Sequence, residues 1–360
     1  MSLRQVSLGP ADGPSPSPIE TDALIIGAGP VGLYQVFQLG LLEIAAQVVD
    51  SLPSPGGQPV ELYPDKPIYD LPAIPVCTGQ ELADSLLRQV QPFQPGMHLG
   101  QTVTGLARLD DGRLLASTSK GLQFLARTVF IAAGVGAFEP KRLAIAALTD
   151  FEQRQVFFRT AEMDLNPPGT TVVVGGSEDA LAAVLELTDA GHDVVLVHRK
   201  DTFDATEGPL ERLQTLRQQG RVKVVIGQPT GVDIRDGRLT AVEVSAADNS
   251  VSRVALDRLL VRLGISPRLG PLADWGLALE RKHLPVDTAG FRTSEPGIHA
   301  VGDINTYPGK RKFIICGFHE CVLAAYAAAA YLRPDQKILM QYTTTSPRLH
   351  ELLGVNGSRP

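Results

Sequence analysis

Apolar residues fall into two patterns along this 360-residue chain. Short unbroken runs stop at glycine or at a charge. They are Ala23 to Ile26 before Gly27, Gln47 to Val49 before Asp50, Thr128 to Ala133 before Gly134, Thr171 to Val174 before Gly175, Asp193 to Val197 before His198, and Leu259 to Val261 before Arg262. Runs of this kind read as strands buried on both faces of a parallel sheet. Helical patterns lie between them. One follows Gly32, one starts near Thr78 behind Gly79, Gln80 and Glu81, and an alanine-rich one covers Val322 to Leu332 before Pro334. Strands alternating with helices predict an α/β fold. Asp110-Asp111-Gly112 and Asp236-Gly237 predict hairpin turns. Residues 1–18 are rich in Pro, Ser and Gly and predict a disordered tail.

Two of the strand-to-helix turns carry chemistry. In Gly27-Ala28-Gly29-Pro30-Val31-Gly32, Gly27 makes the tight turn, Gly29 lets backbone approach a pyrophosphate, and Gly32 lets the helix pack on the strand. Phosphates would sit at the helix N-terminus, where free N–H groups and the dipole favour anions. Asp50 ends the next strand, 23 residues after Gly27, and can accept from a ribose diol. The second turn, Gly175-Gly176-Ser177-Glu178-Asp179-Ala180, is degraded. Ser177 stands at the middle glycine position, and two carboxylates follow. Its unit ends in His198-Arg199-Lys200, where a basic pair can meet a ribose 2′-phosphate. Gly175, Ser177, Ala180, His198, Arg199 and Lys200 are therefore the candidate nicotinamide-nucleotide residues. Two dinucleotide units suggest a flavin and a nicotinamide exchanging electrons.

Composition narrows the class. A hydrophobic share of 44% with 20% charged residues is that of a globular enzyme. The net charge of −6 argues against general nucleic-acid binding. Cys77, Cys316 and Cys321 form neither a CxxC pair nor a metal-ligand spacing, so no metal is expected and each reads as a small core residue. No secretory pattern is seen, and the alanine-rich run is too short to span a bilayer. These features point to a cytoplasmic protein without membrane association. No Ser/His/Asp or paired-carboxylate set appears, so no acid–base catalyst is named. His319 is read as structural.

The strand Gly297 to Asp303 has no place in the second unit and is assigned to the first. The expected architecture is α/β, with two Rossmann-like three-layer domains, the nicotinamide domain being inserted into a discontinuous flavin domain. The expected boundaries are 1–18 for the tail, 19–150 for the first flavin segment, 151–266 for the nicotinamide domain, and 267–360 for the second flavin segment. A linker is expected over 135–169.

Several stretches resemble the ferredoxin–NADP reductases of the thioredoxin-reductase-like type. They are Gly56-Gly57-Gln58 with Glu61 to Asp70, Gly136 to Pro140, Val301 to Lys310 with Gly317-Phe318-His319-Glu320, and Gln341 to Pro347. The resemblance covers nearly everything after the tail. It implies FAD and NADPH as cofactors, with hydride passing to flavin N5 and electrons leaving singly to ferredoxin or flavodoxin. It also implies a homodimer. For the flavin it implies that Gly27, Gly29, Pro30 and Gly32 form the fingerprint and that Asp50 holds the adenosine ribose. Gln58 and Tyr63 meet the ring, Val103 the adenine, and Phe138 lines the pocket. Asp303 takes the ribityl chain or pyrophosphate. Tyr342 covers the other ring face, and Thr344 meets the flavin edge.

The chain departs from the family pattern at Ser177, at Lys200, where an arginine is usual, and at Asp204, which would repel a 2′-phosphate. NADH therefore stands beside NADPH as a possible donor. Two alternatives remain: an NADH-dependent flavin or quinone reductase, and a flavin-binding redox partner or sensor with an impaired nicotinamide site. Lys310, Arg311 and Lys312, with Lys141 and Arg142, are the expected docking patch for an acidic carrier.

Overall fold

The computed structural model describes residues 3–6 and 17–355, with backbone alone for Phe138, Glu139 and Pro267. The chain divides into a first unit, Met1–Phe138 with Pro267–Pro360, and a second, Glu139–Ser266. The first division falls at 138/139, not at 150/151.

In the first unit the parallel strands Gly96–His98, Ala46–Val49, Ile19–Ile26 and Gln123–Ile131 lie side by side. The last of these forks. Its early part pairs antiparallel with Leu114–Thr118, and its end pairs parallel with Ile298–Ala300. The late strand thus joins the first unit's sheet. Side chains alternate between two faces, as strand geometry requires. Ala23, Ile25, Val48 and Phe130 pack under the helices Pro30–Leu41 and Ile314–Leu332. Leu24, Ile26, Val49 and Ile131 face Val103, Leu106, Leu114 and Phe124 of the antiparallel strands. The result is three layers: helices, parallel sheet, antiparallel strands.

The second unit repeats the plan. Its parallel sheet runs Val156–Phe157, Arg258–Arg262, Thr170–Gly175, Asp193–His198, Val222–Ile226. Val173, Leu196 and Leu260 pack on the helices Glu178–Asp189 and Glu207–Gln218. Val172, Val174 and Val261 pack on the three antiparallel strands that hold Leu239, Val242 and Val254.

Local chemistry accounts for the turns. Asp236 (φ 49°) and Gly237 (φ 72°) form the two-residue turn joining Gln228–Arg235 to Arg238–Ser245. Thr78 caps the Gly79–Val90 helix with a complete capping box: its hydroxyl accepts from Glu81 N, and Glu81 accepts from Thr78 N.

Three expectations are corrected. Residues 4–6 do not belong to a disordered tail: Arg4–Val6 pairs in parallel with Val103–Leu109, and Leu3 is buried. The edge of that sheet offers unpaired backbone groups, which any short extended segment can satisfy. The expectation for residues 1–2 and 7–16 lies outside the described residues. The stretch 135–169 is more than a linker, since Val156–Phe157 is the edge strand of the second sheet. The alanine-rich helix begins at Ile314, not Val322. At 19 residues it is long and apolar enough to cross a membrane, yet Cys321, Ala324, Ala325, Ala328 and Ala329 are buried in the first unit's core.

Candidate cofactor sites

The first unit holds a cavity of about 310 Å³ at the C-terminal ends of its parallel strands. Gly27 turns the chain there with φ +117°, and its N–H donates to Val49 O at 2.8 Å. A Cβ on Gly27 would lie 2.3 Å from Ala132 O, and one on Gly32 would lie 1.9 Å from Gly27 O. Both glycines are fixed by sterics. Gly29 differs: a Cβ there would meet only Gly57 Cα, at 3.8 Å. Its missing side chain leaves space facing the cavity, which suits a close-lying pyrophosphate. The Pro30–Leu41 helix starts with proline and has no side-chain cap, so its first N–H groups are left for a ligand.

Asp50 Oδ2 accepts from Ala28 N at 2.5 Å, and Oδ1 from Leu52 N at 2.7 Å. The carboxylate therefore braces the fingerprint while lining the cavity. Burial pushes its pKa up, against the lowering effect of those two N–H donors. At the other end, burial, and then the charge of Asp303, raise the pKa of Tyr63, while a side-chain bond with Gln58 opposes them. Gln58, Tyr63 and Asp303 are thus neighbours.

Of the flavin residues expected from sequence, Gly27, Gly29, Pro30, Asp50, Gln58, Tyr63, Val103 and Asp303 line this one cavity. Gly32 stands behind it. The Phe138 side chain lies outside the described residues. Tyr342 and Thr344 do not line the cavity of their own chain; both are exposed. The segment that follows them is tied by Arg348 to Glu43, just past Leu41. That end of the Pro30–Leu41 helix is about 18 Å from the cavity end. Val31, Gln101, Thr102, Trp275 and Phe313 also line the cavity and were missed. Trp275 is the only tryptophan, which was an available signal.

In the second unit, a Cβ on Gly176 would lie 2.3 Å from the His198 ring. His198 therefore packs beneath the turn, beside Phe203. Burial, with the charges of Arg199 and Lys200, lowers its pKa. The two carboxylates of the degraded fingerprint are engaged elsewhere: Glu178 accepts from Thr206 Oγ1 at 2.5 Å, and Asp179 pairs with Arg262 at 3.3 Å. Ser177 makes no side-chain cap on the Glu178–Asp189 helix, so that N-terminus is open too. Asp204 N donates to Gly176 O at 2.8 Å, which sets Asp204 beside the turn. Arg199 and Lys200 are exposed, and the neighbouring Asp201 is paired with Arg217 at 2.9 Å.

The expected docking patch needs correction. Lys310 is not a surface cation: its side chain is 8% exposed and pairs with Glu320 at 2.5 Å. Arg311 and Lys312 are exposed, and Lys312 lines the cavity. Arg142 is paired with Glu152 at 2.8 Å in the second unit. His319 is exposed and does not line the cavity.

Residues 21–330 match the sequence profile of the pyridine nucleotide-disulphide oxidoreductases. The chain belongs to that family. A relative named ferredoxin–NADP reductase, from Polaromonas naphthalenivorans, is 54% identical over 94% of this chain and 93% of its own length. Another from Cupriavidus taiwanensis, named ferredoxin–NADP reductase 2, is 53% identical over 98% and 95%. Among solved structures, a thioredoxin reductase from Gloeobacter violaceus superposes with a TM-score of 0.54 at 21% identity, covering 90% of this chain and 98% of that one. That likeness speaks to fold alone. This pyridine nucleotide-disulphide oxidoreductase has no disulphide of its own among the described residues: Cys77, Cys316 and Cys321 are all free.

Proposed function

We propose that the protein is an FAD-dependent reductase that passes electrons between NADPH and ferredoxin. The observation that carries this is the first unit's cavity, where the fingerprint, Asp50 and the Gly302–Asp303 turn converge, in a chain 54% identical to a reductase of that name. The space at Gly29, the uncapped helix start and the Asp50 carboxylate suit a pyrophosphate and a ribose, which supports FAD as the occupant. FAD, when bound, supplies hydride acceptance and one-electron delivery.

The chain's own residues bind and orient. Gly29 and the start of the Pro30–Leu41 helix receive the pyrophosphate. Asp50, with lone pairs to spare after its two backbone bonds, accepts from the ribose hydroxyls. Val103 meets the adenine through its backbone. Tyr63 offers an aromatic face, which suits a flat ring. In the second unit the open start of the Glu178–Asp189 helix receives the NADPH phosphates, helped by the diversion of Glu178 to Thr206 and of Asp179 to Arg262. Arg199 and Lys200 meet the 2′-phosphate. Asp204, exposed beside the turn, works against that charge and supports some use of NADH.

Docking is by Arg311 and Lys312, with Phe313, 53% exposed, giving an apolar centre where the cavity opens. Flavodoxin is a second carrier of suitable acidity. The protein works as a homodimer, which the exposure of Leu339, Met340 and Tyr342 supports. Three free thiols fit a reducing cytoplasm.

The test is anaerobic stopped-flow mixing of the purified yellow protein with NADPH and NADH in parallel, followed by addition of ferredoxin. Bleaching by NADPH and re-oxidation by ferredoxin is the expected result. A chain that cannot be loaded with FAD overturns the proposal. Bleaching that only quinones or free flavin can reverse points to the quinone-reductase alternative.

A further inference from the structure

We propose that Glu320 is a positioning residue for the flavin cavity, acting with Lys310 to lock the Gly302–Asp303 turn; this rests on the reading of that cavity as the FAD site. Glu320 lies on the Ile314–Leu332 helix and is 0% exposed. Four donors converge on its carboxylate. Oε2 accepts from Gly302 N at 2.7 Å and Asn305 Nδ2 at 2.8 Å, while Oε1 accepts from Tyr307 OH at 3.0 Å and Lys310 Nζ at 2.5 Å. Every donor comes from the segment between the Ile298–Ala300 strand and the helix. One buried carboxylate therefore gathers the whole loop that carries Asp303 into the cavity.

Lys310 completes the lock. Its ammonium also donates to Gly302 O at 2.9 Å. Both backbone polar groups of Gly302 thus end on the same ion pair, the N–H on Glu320 and the carbonyl on Lys310. Gly302 holds φ +79°, a conformation that few other residues would accept. The helix also sets how close this turn comes to the first fingerprint. A Cβ on Gly317, one turn before Glu320, would lie 2.5 Å from Val31 Cγ2 and 3.5 Å from Gly302 Cα. Val31, Gly302 and Asp303 all line the cavity. Burial and the Glu320 charge push the Tyr307 phenol up, which keeps it a donor.

A buried ion pair is a poor source of stability in itself, because desolvation offsets the attraction. What such a pair supplies here is a fixed geometry. A site residue is held accurately when its own support is satisfied and packed. The turn that presents Asp303 is therefore set by the protein before the cofactor arrives.

The experiment uses the full-length, FAD-loaded protein and its Glu320→Gln, Lys310→Met and Tyr307→Phe variants. FAD release is followed by the rise in free-flavin fluorescence, well below each variant's unfolding temperature. Thermal unfolding of the FAD-free forms is recorded beside it. Glu320→Gln and Lys310→Met leave buried partners unsatisfied, so release should quicken by about tenfold or more. Tyr307→Phe removes one of four donors and should quicken release by about threefold while the protein still folds. The Glu320→Gln and Lys310→Met effects should not add, because both act through one turn. Release within roughly twofold of the parent in a folded Glu320→Gln or Tyr307→Phe protein overturns the proposal. So does a fall in unfolding temperature with release unchanged, which would mark a purely structural role. If the two charge variants do not fold, Tyr307→Phe decides alone. A parent that binds no FAD refutes the flavin reading itself, which is a separate result.

Discussion

His299 should make the first unit acid-labile, and replacing it should remove most of that lability. The ring is 1% exposed and stacks on Phe130 with centroids 4.9 Å apart. Nδ1 bonds Gly290 O at 2.9 Å. Burial drives its pKa down to about 4, with the Gly290 bond a smaller opposing effect. In the unfolded chain the ring titrates near 6.5. The neutral ring is therefore native, and the unfolded chain takes up the proton first. The stabilising contribution is complete above pH 6.5 and is lost as pH falls through about 4. The gap corresponds to about 3 kcal/mol. For a unit of this size that is about 6–12 °C in melting temperature. The assay is thermal unfolding of the parent and of His299→Leu from pH 7.5 to pH 4. The difference between the two curves isolates His299, because the opposing pull of the raised Asp50 pKa is common to both. The parent should lose its advantage over the variant across that window. A constant difference from pH 7.5 to pH 4 would refute the reasoning.

Two glycines of one motif should behave oppositely. Gly29→Ala should fold normally but bind FAD at least about tenfold more weakly, since its methyl meets only open space until a ligand arrives; isothermal titration with FAD checks this. Gly32→Ala should be unstable even without FAD, because its methyl would sit 1.9 Å from Gly27 O; its melting temperature decides. Asp204→Arg should shift the NADPH-to-NADH ratio of kcat/KM upward by about tenfold, and no shift would mean the carboxylate points away from the nucleotide. Neutralising Arg311, which is exposed and does not line the cavity, should slow ferredoxin reduction at low salt and leave flavin reduction by NADPH unchanged; equal rates at low ionic strength would rule this docking face out.

What could be read from sequence was what local sterics dictate. Gly27 and Gly32 stand where a Cβ has no room, and Asp50 follows from its place at the end of the next strand. The strand that ends at Gly302-Asp303 was assigned to the first unit because it had no place in the second, while the flavin role of Asp303 came from the resemblance alone. The Asp236-Gly237 turn follows from φ values that few residues tolerate. The misses are non-local. Arg4–Val6 is a strand only because an edge just over a hundred residues further along the chain is free to pair. Lys310 reads as a surface charge until the helix brings Glu320 beneath it. Glu178 and Asp179 looked hostile to phosphate, and only folding reveals that Thr206 and Arg262 hold them. Tyr342 and Thr344 were assigned by resemblance, and the tether from Arg348 to Glu43 sets their segment apart from the chain's own cavity.

The fork in the Gln123–Ile131 strand has a consequence for how the molecule is made. Its distal half pairs with Ile19–Ile26 on one flank, but on the other finds its sheet neighbour only at Ile298–Ala300. A ribosome adding about 5–20 residues per second takes roughly 10–30 s to travel from one to the other. Through that interval Phe130, which is fully buried in the finished protein, has Ile19–Ile26 and the Pro30–Leu41 helix beside it but lacks the late strand and the Ile314–Leu332 helix that complete its cover. The nascent first half must then wait, partly open, while the whole inserted unit emerges and folds. Slowing translation within Glu139–Ser266 should therefore lengthen the exposure of this segment to chaperones and proteases.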